Sequence, residues 1–183
     1  MIWRPPSRTR SLQLASNHLH ALVSSTLDLA KIESGKLLLD VSAVPIAALL
    51  REVTRSLQPT FLAHGNTLEL ALSSTITQAT TFETDNLKLR QILINLLNNA
   101  AKYTHDARVQ VRAWSEASAI TIEVMDEGVG MSEQTLAKIW EEFVQADETA
   151  LSQNGGTGLG LALVKRLTHL LGGSIAVTSA LGV

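Results

Sequence analysis

Residues 85–104 read DNLKLRQILINLLNNAAKYT. Leu89, Leu93, Leu96, Leu97 and Ala100 recur at spacings of three and four, which puts them on one face of an α-helix. Asp85 stands where an N-cap is expected, so a helix is predicted over Asp85–Lys102. Its apolar face needs a surface to cover it, and the flanking sequence supplies strand-like runs. Thr67–Leu72 lies upstream; Val109–Trp114 and Ile120–Met125, both rich in β-branched residues, lie downstream. Leu37, Leu39 and Val41 alternate as in a half-buried strand. Pro45–Ala63 reads as a helix with proline in its first turn and a stop at His64-Gly65. Further on, Ser132–Trp140 is a short helix capped by Ser132, Leu159–Leu171 is a longer one, and Ser174–Thr178 is a final strand. Such interleaving excludes an all-α or all-β chain. The expected class is α/β: a two-layer α/β sandwich, with a mixed sheet carrying helices on one face.

The N-terminal part differs. Residues 1–10 hold two prolines and three arginines without periodicity, a loose lead-in. From Ser11 to Ser34, Leu12, Ala15, Leu19, Leu22, Thr26 and Leu29 mark the heptad seam of a bundle helix, with Gly35 as its stop. Leu14, Val23, Leu27 and Ala30 widen the stripe, so this helix requires a partner, and no comparable heptad helix follows. The expected organisation is therefore lead-in 1–10, bundle helix 11–35, and an α/β domain over 36–183.

Composition narrows the function classes. With 183 residues, 45% of them hydrophobic, and a mean hydropathy of +0.16, the chain can build a packed core and is too apolar to be disordered. A net charge of −2 argues against nucleic acid as a partner. The absence of cysteine removes disulfides, zinc–thiolate sites and thiol nucleophiles together. No apolar run nears the roughly 18 residues of a membrane helix, and the first residues lack the apolar core of a signal peptide. A soluble protein of a reducing compartment is expected, cytoplasmic or the cytoplasmic end of a longer membrane-bound receptor.

Three stretches carry candidate chemistry. On the first helix, Asn95, Asn99, Lys102 and Tyr103 fall at i, i+4, i+7 and i+8, opposite the apolar face. Taken alone, that pattern is more simply the solvated side of a helix. It also suits magnesium and phosphate: magnesium keeps several waters and takes one or two protein oxygens besides phosphates, which an asparagine amide and a lysine can complement. Tyr103 can stack on a base or ribose. The second stretch is Asp126-Glu127-Gly128-Val129-Gly130-Met131, at the end of a strand. It is a strand-ending turn on the plain reading. On the other, Gly128 and Gly130 admit a flat ligand and Asp126 accepts from the exocyclic amine of adenine, where guanine carries an oxygen that a carboxylate repels. The third, Gly155-Gly156-Thr157-Gly158-Leu159-Gly160-Leu161, runs into an apolar helix. Its backbone N–H groups and the helix N-terminus form a place for an anion. No strand leads into it and no lysine follows its last glycine, so it is neither a dinucleotide fingerprint nor a P-loop.

Together and in this order, the three resemble the ATP-binding domain of sensor histidine kinases, within the gyrase–chaperone–kinase–mismatch-repair ATPase superfamily. Residues 85–104 are similar to its N box, DEGVGM (126–131) to its first glycine box and GGTGLGLALVKRL (155–167) to its second; Trp140-Glu141-Glu142-Phe143 resembles the F box. The resemblance implies Asn99 as magnesium ligand, Asn95 and Lys102 as catalytic residues on the phosphate side, Tyr103 beside the adenosine and Asp126 on the adenine amine. It further implies ATP contacts from Gly128, Gly130, Met131, Phe143, Gly156, Thr157, Gly158, Leu159, Gly160 and Leu161. The stretch between Phe143 and Gly155 corresponds to the ATP lid, where Ser152 replaces a common basic residue and Asn154 an aromatic one. Hydrolysing members of the superfamily carry a glutamate one turn before the magnesium asparagine. Here Asn95 stands in its place, and an amide cannot take a proton from water near neutral pH.

ASNHLHALVSSTLDLAKIESGKL (15–37) is similar to the second helix of the family's dimerisation domain. The resemblance implies homodimerisation through residues 11–35 in a longer chain, an acceptor histidine outside residues 1–183, and the receiver domain of a response regulator as partner. His18 and His20 lack the acceptor motif, and His64, His105 and His169 stand alone. The expected function is transfer of the ATP γ-phosphate to a histidine held elsewhere. A nucleotide-binding or dimerisation module without turnover is the alternative, and a hydrolysing ATPase a more distant one. The family also has a closing strand beyond Leu181-Gly182-Val183.

Overall fold

The computed structural model describes residue 19, residues 22–144 and residues 157–182. Helix α1 (residues 22–33) is followed by β1 (Val41–Pro45), α2 (Ile46–Ala63), β2 (Thr67–Leu72), β3 (Thr81–Asp85) and α3 (Asn86–Tyr103). The hairpin β4 (Arg108–Glu116) and β5 (Ala119–Asp126), short α4 (Glu133–Lys138) and α5 (Gly160–Leu170) complete the order.

The mixed α/β class is as expected, but the strands form two sheets. β2 and β4 pair in parallel and β4 and β5 antiparallel, while β1 and β3 make a separate antiparallel ribbon, Val41 opposite Asp85. On β4 the side chains of Val109, Val111 and Ala113 are buried, while Arg108 and Arg112 are exposed and pair with Glu127 and Glu123 across to β5 and the residue beyond it. That alternation is what a sheet covered on one face requires. α2 and α3 form the cover. Ile46, Leu49, Leu50, Val53 and Phe61 from α2 join Leu93, Leu97, Ala100 and Ala101 from α3 over Leu68, Val109 and Val111. Between the two helices Arg90 grips Glu52 through two parallel bonds of 2.8 Å. The side-chain bond to Arg90 holds the Glu52 carboxyl below the ordinary carboxylate value, so this link is present above that range and lost as pH falls through the lowered pKa.

A second cluster lies on the other side of α3. Leu159, Leu163, Val164 and Leu167 pack with Ile92 of α3 and Leu29 of α1, flanked by Leu22, Ile32 and Leu96. The partner the heptad stripe requires is thus provided in part within the chain, by α5 and α3. Leu19, Val23 and Leu27, spaced by four, remain exposed on the other face of α1. The part of the expected bundle helix before Leu22, other than Leu19, lies outside the described residues.

The structure departs from the sequence reading at three places. Thr81–Asp85 is a strand that hydropathy does not reveal, because TFETD is polar. It forms because Asp85 serves twice: Oδ1 accepts from Lys88 N at 3.0 Å, capping α3, and Oδ2 accepts from Asp40 N at 3.0 Å. Ser174–Thr178 is not a strand. Residues 173–180 carry no regular ladder; what holds the end of this segment is the 129–131 turn, where Ser179 Oγ accepts from Met131 N and Gly182 N donates to Val129 O. The strand predicted from Leu37 onward also begins later, at Val41.

Because Asp85 is buried and satisfies two backbone donors, Asp85→Ala should cost about 1–3 kcal/mol, with the urea midpoint lowered at constant slope. Asp85→Asn, which keeps an accepting oxygen, should lose less. An unchanged midpoint in Asp85→Ala would contradict the double role.

Candidate functional site

The C-terminal half of α3 builds one wall. Asn95, Asn99, Lys102 and Tyr103 are all half-buried, whereas Asn98 is exposed. A merely solvated face would leave the four as open as Asn98. Lys102 Nζ lies 4.7 Å from the centroid of the Tyr103 ring, a cation–π contact that orients both.

The turn after β5 closes on the end of this helix. Val129 N donates to the Tyr103 carbonyl at 3.2 Å, and Gly128 N donates to Asp126 Oδ1 at 3.1 Å. Gly128 passes so near that a Cβ there would sit 2.5 Å from Tyr103 O and 2.7 Å from Asp126 Oδ1. Only glycine fits this approach. Asp126 is exposed, and its Oδ2 has no hydrogen-bond partner among the described residues, so one carboxylate oxygen is held and the other is free to accept. Gly130 abuts the Ala180 carbonyl, and Met131 is half-buried beside it.

A second close approach joins Phe143 to Gly158. Phe143 N donates to Gly158 O at 3.0 Å, and a Cβ on Gly158, whose φ is +69°, would meet the Phe143 backbone at 2.7 Å. Phe143 itself adopts φ of +64° and the residue is 66% exposed. Thr157 Oγ1 accepts from the N–H of buried Leu159 at 3.2 Å, turning the chain into α5. Gly160 opens that helix beside α3: a Cβ there would lie 3.9 Å from Asn95 Oδ1. Leu161 is half-buried in its first turn. Among the described residues no side chain caps α5, so its first N–H groups and the positive end of its dipole face an anion's position.

The structure thus joins the sequence-predicted residues at three junctions, Tyr103 with Asp126 and Gly128, Asn95 with Gly160, and Phe143 with Gly158, while Asn99 and Lys102 share the polar face of α3 with Asn95. Gly155, Gly156 and the expected lid positions Ser152 and Asn154 lie outside the described residues, as do His18 and His20. His64 and His105 make a tilted contact, with ring centroids 5.9 Å apart.

Two residues escape sequence reasoning. Asn66 is fully buried; its Nδ2 donates to Thr104 O at 2.7 Å and its Oδ1 accepts from Ala107 N at 3.2 Å, which fixes the loop leaving α3. Thr104 is fully buried beneath Gly128, and its Oγ1 has no hydrogen-bond partner in the described structure. Neither has a signal beyond being a small polar residue next to a turn.

Residues 84–183 match the family of histidine kinase-, DNA gyrase B- and HSP90-like ATPases, and the chain belongs to that family. Among curated relatives it is similar to the autoinducer 2 sensor kinase/phosphatase LuxQ of Vibrio cholerae, 35% identical over 92% of this chain and 20% of LuxQ. It is similar, too, to the circadian input-output histidine kinase CikA of Synechococcus elongatus, 37% identical over 94% of this chain and 23% of CikA. Full-length ShkA, solved in complex with AMPPNP, superposes with a TM-score of 0.82 at 32% identity, over all of this chain and 38% of ShkA. The chain spans about a fifth of the length of the curated relatives it matches.

Gly128→Ala tests the junction directly. Forcing a methyl group against the Tyr103 carbonyl should destabilise the fold by about 1–3 kcal/mol and shift the amide NMR signals of Tyr103 and Val129. A variant as stable as the parent, with those signals unmoved, would contradict the close approach.

Proposed function

We propose that this chain is the ATP-binding catalytic portion of a two-component sensor histidine kinase, transferring the γ-phosphate of ATP to a histidine that it does not itself supply. The observation that carries the reading is the pairing of Asn95 with the start of α5. An amide, not a carboxylate, stands beside the glycine that opens an uncapped helix N-terminus.

In this reading Asp126, with Oδ1 held by Gly128 N, accepts from the adenine amine through its free oxygen, and Tyr103 lies beside the adenosine. Lys102 and the first N–H groups of α5 offset the phosphate charge. Phe143, Gly156, Thr157, Gly158, Leu159, Gly160 and Leu161 form the opposite wall. Asn99 fits magnesium as a single neutral oxygen donor, half-buried one helical turn from Asn95, where a hydrated ion needs few protein ligands. Held by Asn99, a magnesium ion would supply positive charge to offset that of the phosphates.

Asn95 cannot accept a proton from water, so hydrolysis lacks a base at this position. A neutral histidine already offers a lone pair and needs none. The protein's contribution is then positioning and electrostatic stabilisation. The lengths and names of the relatives favour a longer signalling chain. In it residues 11–35 would serve homodimerisation, an adjoining domain would carry the acceptor histidine, and a response-regulator receiver domain would take the phosphoryl group. Among the described residues no helix is long and apolar enough to cross a membrane. Dependence on ATP favours a cytoplasmic location for this portion.

Magnesium-ATP should raise the melting temperature of the chain more than magnesium-GTP. Asp126→Ala should abolish most of that difference, weakening ATP binding about ten- to a hundredfold. With a separate dimerisation domain added, label from γ-phosphate should appear on its histidine and be lost in Asn99→Ala. Equal stabilisation by both nucleotides would refute the adenine assignment. Sustained phosphate release abolished by Asn95→Ala would refute transfer in favour of hydrolysis.

A further inference from the structure

Six arginines lie among the described residues, and four of them are paired within the chain: Arg90 with Glu52, Arg108 with Glu127, Arg112 with Glu123, and Arg166 with Glu33 and Glu142. The other two, Arg51 and Arg55, stand one turn apart on α2, are exposed, and have no ion-pair partner among the described residues. Both line one groove, together with Thr54 and Gln58 of α2 and Leu70 of β2. Thr54 Oγ1 is committed to the Leu50 carbonyl at 2.8 Å, and Glu52, the carboxylate between the two arginines in sequence, is held by Arg90. The groove is therefore left with two uncompensated guanidinium groups.

It borders the open edge of the larger sheet. Among the described residues β2 pairs with β4 and with no other strand. Thr67 N donates to Ala107 O and Ser73 N to Ala113 O, both toward β4. Backbone groups alternate in direction along a strand, so those of Leu68, Leu70 and Leu72 point to the open side. Of the two covering helices α2 contacts β2 and α3 contacts β5, which puts the arginines on the side of this edge. Leu70 belongs to both features, as an edge residue and as part of the groove. An unpaired edge is a template for another strand, whose main chain bonds there whatever its sequence. Side chains then select among candidates, and two unpaired guanidinium groups attract carboxylates and repel a basic segment.

We propose that the β2 edge and the Arg51–Arg55 groove form a docking surface for an extended acidic segment of a partner protein. The segment adds as a strand beside β2 and sets its carboxylates on the two arginines. This surface goes beyond the nucleotide reading and does not rest on it.

A capped seven-residue peptide alternating glutamate with threonine carries all its carboxylates on one face when extended. Titrated into the 183-residue chain without nucleotide, it should bind, and the Leu70 N–H should become protected from exchange. Arg51→Gln combined with Arg55→Gln should weaken binding about five- to thirtyfold, whereas Arg112→Gln, the same loss of charge on the uncovered face of the sheet, should change it by less than about twofold. Both groove arginines are exposed, so the melting temperature of the double variant should match the parent's. A peptide with lysine in place of glutamate should not bind. No binding up to about 1 mM, equal binding of the lysine peptide, or an affinity untouched in the double variant would overturn the proposal. Binding that leaves Leu70 unprotected would overturn it as well, by reducing the site to bare attraction of anions.

Discussion

Everything in this molecule hangs on α3 having to be buried on two sides at once. Leu93, Leu97, Ala100 and Ala101 belong to the core over the sheet, and Ile92 to the cluster formed with α5 and α1. Among the described residues no other element contributes to both clusters. A helix wedged between two cores cannot rotate to relieve a misfit, since turning one face outward exposes the other. At roughly 25 cal/mol per Å² of apolar surface, such a rotation would forfeit several kcal/mol. The remaining face of the helix is therefore fixed in direction, and it holds Asn95, Asn99 and Lys102.

Both ends of α3 are pinned as well. Asp85 satisfies donors from the first turn and from the chain before β1, and Tyr103 O accepts from the turn after β5. The glycine at 128 is what lets that turn come so close. A rigid helix with a fixed polar face is the support that a site working by positioning and charge requires. α5 adds an uncapped N-terminus at the height of Asn95, and the Phe143–Gly158 junction borders the opening. The functional side chains thus sit on a helix held on both sides and at both ends.

Much of this was legible from residue spacing. The 3.6-residue period of Leu89–Ala100, the β-branched runs of β4 and β5 and the caps at Asp85 and Ser132 set helix and strand types, because each reflects local backbone chemistry. Other features depend on distant partners. Thr81–Asp85 pairs with β1 through a polar sequence that no periodicity marks, and Ser174–Thr178 has strand-like composition without a ladder. The heptad stripe of α1 divides between α5, α3 and solvent, a division set by tertiary packing. Among site residues, glycines and asparagines could be read from type and spacing. Thr104 and Asn66 could not, because Asn66 reaches the Thr104 carbonyl and the Ala107 N–H across 38 and 41 positions.

The central claim is that α3, fixed between two cores, presents an adenine-nucleotide site whose base end is Asp126. A crystal structure with magnesium and AMPPNP measures this most directly. The account predicts the adenine amine about 3 Å from the Asp126 carboxylate, with the phosphates between Asn99, Lys102 and the start of α5. A nucleotide seated away from Asp126, or phosphates turned from α3, would contradict it.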